Sequence, residues 1–118
     1  MTTLKKEDLL PFIGSEVFYR HWAKLVIYTE GVKFLADKAH AYWLIDHIAI
    51  HQMVPKIHDL EFQNWKLVVD LLTHRGTITV DDGNGNIAEI EDINWTDFPL
   101  EEITLFYTGR TLMLPSEY

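Results

Sequence analysis

The 118-residue chain contains no cysteine. Disulfide bonds, thiol nucleophiles and cysteine-ligated zinc or iron–sulfur sites are therefore excluded. It has no apolar run of about 18 residues, the length that a membrane-spanning helix requires. Its start, MTTLKKEDLLPF, lacks the apolar segment of a signal peptide. We therefore expect a cytoplasmic protein without membrane contact, folded as a single domain over residues 1–118.

Positive charge is scarce in the second half of the chain. The net charge is −8, and residues 81–102 hold eight carboxylates but no Lys or Arg. Such a surface repels a phosphate backbone, so nucleic-acid binding is disfavoured. It can attract a basic protein, although the same charge can simply keep a small domain dispersed. Alternation predicts an acidic partner-binding face on the outer side of a β-hairpin, formed by Asp81, Asp82, Glu89, Glu91 and Asp92.

Motifs for nucleophilic or phosphate chemistry are also missing. The two serines, Ser15 and Ser116, lie outside any nucleophile elbow. The segment DDGNGN resembles a calcium loop only at its first positions, and it lacks the third glycine of a dinucleotide loop. We interpret it as a hairpin turn. These absences favour an interaction or regulatory protein over an enzyme, and we expect no cofactor.

The hydrophobic periodicity changes near Pro55. Before it, Thr29 can cap an amphipathic helix, and AHAYWLIDHIAIHQ (39–52) is typical of a second helix. After it, apolar and polar residues alternate from Trp65 to Leu71, which indicates strands. The pattern predicts an α+β fold in which N-terminal helices pack on one face of a C-terminal antiparallel meander of four to five strands. It does not decide whether residues 16–28 form strands.

Three histidines lie in the predicted second helix. At 100° per residue, His40, His47 and His51 fall within an arc of about 40°, apart from the apolar face. The pair at i, i+4 could chelate zinc, but Ile48 stands where metalloprotease helices carry glutamate. A third ligand cannot be placed from the sequence. We therefore expect a solvated histidine row that holds no metal.

Asp46 lies among aromatic and aliphatic neighbours in the same helix. A partly buried carboxylate needs a partner, and Arg20 or His21 could supply one. The favoured interpretation is a structural ion pair between two segments. The alternative is a ligand-binding pocket of Arg20, His21, Tyr42 and Asp46, which with the helical histidines would form a small-molecule- or metal-binding enzyme.

Four segments together resemble a known family: GSEVFYRHW, YTEGVKFLADKAHAYWLID, TDFPLEEI and the terminal LPSEY. The family is bacterial and phage-borne, is about 120 residues long, and is known only as a domain of unknown function. The resemblance covers nearly the whole chain. It implies no activity, because none is assigned to the family.

Overall fold

The computed structural model describes residues 4–14, 17–21 and 26–118. The α-helices in these residues are α1 (Glu30–Ala39), α2 (Tyr42–His51) and α3 (Pro55–His58), and short 3₁₀ helices span Lys6–Leu9 and Pro115–Glu117. The strands are β1 (Phe18–Arg20), β2 (Ile27–Thr29), β3 (Phe62–Asp70), β4 (Arg75–Asp81), β5 (Ile87–Ile93), β6 (Glu102–Thr108) and β7 (Thr111–Met113). None of the helices described here has the length and apolar character needed to cross a membrane.

The strands form one sheet of order β1-β2-β7-β6-β3-β4-β5. The α+β class is confirmed, but four details of the prediction are wrong. The described part of the chain has seven strands, β2 pairs in parallel with β7, and a 3₁₀ helix follows the last strand. The meander order also fails, because β6 pairs with β3 rather than with β5. Strand β6 buries Ile103, Leu105 and Tyr107, and it occupies the central position of the sheet, with strands on both sides.

Helix α1 forms where its sequence predicts it. The hydroxyl of Thr29 accepts a hydrogen bond from the backbone N–H of Val32, so Thr29 is the N-cap. The helix ends at Ala39 because His40 adopts the left-handed conformation, with φ of 53°. The second helix therefore begins only at Tyr42. The predicted row of three histidines is wrong at His40, which is exposed in the break between the two helices.

The core lies between the helices and one face of the sheet. On β3, Trp65, Leu67 and Val69 are buried, as their alternation predicts, whereas Leu71 lies beyond the strand and is exposed. Helix α2 contributes Leu44 and Ile48, among others, to the same core. We call this the inner face of the sheet, and the opposite face the outer face.

A one-residue bulge interrupts the pairing of β4 with β5. Asp81 pairs with Ile87 next to the turn, but Val80 pairs with Glu89, so Ala88 is an extra residue in β5. A bulge of this kind reverses the face to which every later side chain points. The side chains of β5 after Ala88 therefore point to the faces opposite to those expected from regular alternation starting at the turn.

The inversion places Glu89 and Glu91 on the inner face, opposite the buried residues Val80 and Ile78. Ile90 takes the outer position instead and is 59% exposed. The prediction that these glutamates lie on the outer side of the hairpin is therefore wrong, because uninterrupted alternation does not apply to β5. They point towards helix α2.

Candidate functional site

Two histidines and two glutamates meet at the edge of the inner face. His47 and His51 lie one turn apart on the flank of α2, next to its buried stripe. Glu89 and Glu91 approach them from β5, the edge strand of the sheet. We call these four residues the histidine–glutamate cluster. The helical periodicity of α2 puts the two histidines on the same flank, and the bulge in β5 turns the two glutamates towards them.

The cluster is held by short contacts between imidazole and carboxylate groups. His47 Nε2 lies 3.1 Å from Glu91 Oε2, and His51 Nε2 lies 3.2 Å from Glu89 Oε2 and 3.7 Å from Glu91 Oε2. The histidine side chains are only 18% and 19% exposed. Their rings stack with centroids 4.0 Å apart. Both rings also meet Trp65 edge-on, at 5.9 Å between centroids, so the cluster has an apolar floor.

One nitrogen of His51 is already assigned by its surroundings. Nδ1 lies 2.7 Å from the backbone carbonyl oxygen of His47, which can only accept a hydrogen bond. Nδ1 therefore carries hydrogen, and in the neutral ring Nε2 presents a lone pair. That lone pair faces two carboxylates, which are also acceptors. A proton or another cation at this point is required to make the contact attractive.

Burial sets the protonation state of the second imidazole. Loss of hydration lowers the pKa of His47 below its usual value, and the adjacent His51 lowers it further, whereas Glu91 and Glu89 act in the opposite direction. The neutral ring of His47 is therefore favoured at neutral pH. Neutral imidazole is the form that binds metal ions.

The expectation of a metal-free histidine row rested on the missing third ligand. The structure supplies a candidate, because His47, His51 and Glu91 each offer a ligand atom, and these atoms lie within 4.8 Å of one another. Sequence reasoning put Glu91 on the other side of the hairpin and so missed this proximity. His40 takes no part in the arrangement, since it lies in the break before α2.

The second predicted site, around Asp46, is only partly assembled. His21 Nε2 donates a hydrogen bond to Asp46 Oδ1 over 2.7 Å, as one of the two predicted pairings required. The His21 side chain is 3% exposed, but that of Asp46 is 46% exposed. The buried member of the pair is therefore the histidine. The contact ties α2 to the residue that follows β1.

The other two residues predicted for that pocket point elsewhere. The Tyr42 hydroxyl donates a hydrogen bond to Asp37, which also binds Lys33. Arg20 is exposed on β1, and strand alternation puts it on the side opposite Tyr19, which stacks on Tyr28. The structure thus brings His21 and Asp46 together but does not gather all four residues around one cavity.

Replacing Asp46 with alanine is expected to lower the free energy of unfolding by about 1–2 kcal/mol, because it removes an acceptor from a buried imidazole. Asp46→Asn retains an oxygen at this position and should recover most of the loss. Urea unfolding of the two variants measures the difference. Equal stability of Asp46→Ala and the wild-type protein would contradict a structural role for this contact.

Residues 3–118 match the profile of a family described as a family of unknown function, DUF6876. The chain belongs to that family. The resemblance seen in its four sequence segments is thereby confirmed over nearly the whole length. No curated protein and no solved structure matches this DUF6876 member.

The predicted partner-binding acids of this DUF6876 member do not form one face. Glu89 and Glu91 contact the histidines on the inner face, while Asp92 accepts a hydrogen bond from the Thr77 hydroxyl on the outer face. Asp81 and Asp82 lie at the turn between β4 and β5. The expected continuous acidic surface is therefore divided into an inner pair and outer carboxylates.

An aromatic groove lies beside that turn on the outer face. Phe62 and Phe106 are in contact, with ring centroids 5.0 Å apart, and Tyr118 packs edge-on against both. With Asn64, Asp82, Gly83 and Asn84, these rings line a concave volume of about 450 Å³. Sequence reasoning did not identify this turn groove. Its signal was the pair of aromatic residues at outward positions of two strands whose pairing was not predictable.

Proposed function

We propose that the protein is a cytoplasmic, non-enzymatic interaction domain that binds a basic protein partner, and that a Lys or Arg side chain of the partner enters the turn groove. The observation that carries the proposal is the combination of three aromatic rings with an ionised carboxylate in a groove that none of the described basic residues lines. Aromatic faces and carboxylates both attract cations. The charge of the groove is complementary to the proposed side chain.

The carboxylate in the groove stays charged. Asp82 accepts hydrogen bonds from the Asn86 side chain and from the backbone N–H groups of Asn84 and Asn86. These bonds lower the pKa of Asp82 below its usual range, with the side chain of Asn86 making the largest contribution. Asp82 therefore retains its negative charge at neutral pH and throughout mild acidification.

Asn64 adds an acceptor that has no donor among the described residues. Its Nδ2 donates to Asp81 Oδ2 over 3.1 Å, which fixes the orientation of the amide because a carboxylate can only accept. Its Oδ1 is buried and accepts no hydrogen bond from any residue in the described ranges. Lys66 lies on the same strand, but its Nζ is 3.7 Å from Glu102 Oε2, and it does not line the groove. To an incoming guanidinium or ammonium group the groove offers the Asp82 carboxylate and aromatic faces.

Titration with an acetylated Arg-Gly-Ser repeat peptide tests the proposal, with the same peptide carrying citrulline in place of arginine as the uncharged probe. We expect the arginine peptide to shift the backbone N–H signals of Gly83 and Asn84 and the side-chain amide signal of Asn64 in a saturable manner. Added salt should weaken this binding, because an attraction between charges is screened.

Two variants locate the binding. Asp82→Asn and Phe106→Leu should each weaken binding of the arginine peptide by about 5-fold, which corresponds to one charge or one cation–π contact. Asp97→Asn is the matched control, because it removes an exposed carboxylate outside the groove. Equal binding of the citrulline peptide, or equal weakening by Asp97→Asn, would contradict the proposed function.

A further inference from the structure

We propose that His47, His51 and Glu91 bind a divalent cation of the Zn²⁺ class, in a site that bridges helix α2 and the edge strand β5. The proposal concerns the inner face of the sheet and is independent of the turn groove. It rests on the ligand geometry, on the hydrogen bond that orients His51, and on the bulge that turns Glu91 inwards.

The donor atoms have the chemistry and the spacing of such a site. Two imidazole nitrogens and one carboxylate oxygen form a ligand set common for zinc, with bonds of about 2.0–2.2 Å. In a tetrahedral shell of that size, neighbouring donors are about 3.3–3.6 Å apart. The distances from Glu91 Oε2 to the two Nε2 atoms are 3.1 and 3.7 Å, and all three donors lie within 4.8 Å. Small side-chain rotations bring them onto one ion.

The surroundings of His51 are those of a metal ligand. A ligating imidazole commonly donates its other N–H to a carbonyl or carboxylate, which fixes the ring and its tautomer. Here Nδ1 of His51 donates to the His47 carbonyl oxygen, so that Nε2 is left to bind. A cation at Nε2 also converts its contacts with the carboxylates of Glu89 and Glu91 from repulsive to attractive.

The fourth position can be filled without rearranging the backbone. Glu89 Oε2 lies 3.2 Å from His51 Nε2, so Glu89 or a water molecule would complete the tetrahedral shell. The ring of Trp65, which contacts both imidazoles edge-on, forms the apolar floor of the site. Apolar surroundings limit hydration of the site and strengthen the attraction between an ion and its ligands. Mg²⁺ and Ca²⁺ prefer oxygen ligands and should bind poorly.

The test begins with the wild-type protein, freed of metal by a chelator and then titrated with Zn²⁺ in competition with a chromophoric chelator. We expect one equivalent to bind tightly and the melting temperature to rise, because an ion that binds only the folded state stabilises it. Co²⁺ should bind with the intense visible absorption of tetrahedral coordination. Absence of stoichiometric Zn²⁺ uptake would overturn the proposal without reference to any variant.

Matched substitutions assign the ligands. His51→Gln and Glu91→Gln should each weaken Zn²⁺ binding about 100-fold or more and abolish the Co²⁺ absorption. The controls are His58→Gln, at an exposed histidine in α3, and Asp92→Asn, next to Glu91 on the opposite face of β5. Both should bind like the wild type. Tight binding by His51→Gln and Glu91→Gln, in protein whose circular dichroism shows it to be folded, would refute the assignment.

Discussion

Replacing Gln63 with leucine is expected to lower the free energy of unfolding by about 3–5 kcal/mol, although leucine is the more apolar residue. Gln63 is 0% exposed. Its amide exchanges two hydrogen bonds of 2.8 Å with Gln52, donates to the Ile57 carbonyl oxygen, and accepts from Trp65 Nε1. Leucine would leave two buried groups unsatisfied, Gln52 Oε1 and the Trp65 indole N–H, since the Ile57 carbonyl oxygen still accepts from the Leu60 N–H. Urea unfolding followed by circular dichroism measures the loss.

A double-mutant cycle separates this network from simple changes in packing. Gln52→Leu should also destabilise the protein, because it leaves half of the amide pair unpaired. The double variant should lose about 1–2 kcal/mol less than the sum of the single variants, since neither amide then lacks its partner. Strict additivity, or a Gln63→Leu protein as stable as the wild type, would show that the network contributes little.

The same network positions the floor of the histidine–glutamate cluster. Gln63 links the C-terminal end of α2, the short helix α3 and strand β3 through its bonds to Gln52, Ile57 and Trp65. Trp65 in turn contacts both imidazoles. Because the Trp65 indole N–H donates a hydrogen bond to Gln63 Oε1, the indole ring that contacts His47 and His51 has a defined orientation. Stability and site geometry are coupled through this one buried amide.

Local features of the fold were predictable because local interactions determine them. Thr29 and the spacing of the apolar residues after it specify α1 through a cap and a single buried face. The break at His40 was not predictable, because few residues other than glycine adopt the left-handed conformation that ends the helix there, although histidine is among the types enriched in it. One residue in that conformation separates His40 from the other two histidines.

The candidate site was missed for a reason that involves a single residue. If Ala88 paired with Val80 instead of bulging, Glu89 would lie opposite Thr79, whose side chain faces outwards, and the predicted outer orientation of the glutamates would follow. Bulges depend on pairing geometry that the sequence of one strand does not reveal, and they frequently redirect side chains at functional sites. The histidine spacing was visible in the sequence, but its acidic partner was visible only after folding.

The order of the strands was equally inaccessible to local patterns. Strands β3, β4 and β6 alternate clearly, yet alternation does not specify which strand lies next to which. The pairing of β6 with β3 brings Phe106 beside Asn64 and close to Phe62, and so creates the turn groove. A meander would have separated these residues. The groove is thus a product of long-range topology rather than of any motif.

Replacing Gly31 with alanine is expected to destabilise the protein by about 2 kcal/mol, although alanine at a helix position ordinarily stabilises by up to about 1 kcal/mol. A Cβ at Gly31 would lie 2.6 Å from Glu117 Oε1 and 2.6 Å from Leu114 Cδ1. Leu114 is 2% exposed and cannot easily move aside. Glu117 would have to leave the position in which it accepts a hydrogen bond from the Thr29 hydroxyl.

The loss of that carboxylate explains the direction of the expected effect. Glu117 lies at the N-terminus of α1, where the backbone N–H of Gly31 is 3.4 Å from its Oε2 and the helix dipole favours negative charge. In a Glu117→Ala background the Gly31→Ala change should therefore cost about 1 kcal/mol less, since one of its two clashes is gone. Gly14→Ala is the control, because nothing lies within 4 Å of a Cβ there. A Gly31→Ala protein that unfolds at higher urea concentration than the wild type would contradict this close packing of the chain end on α1.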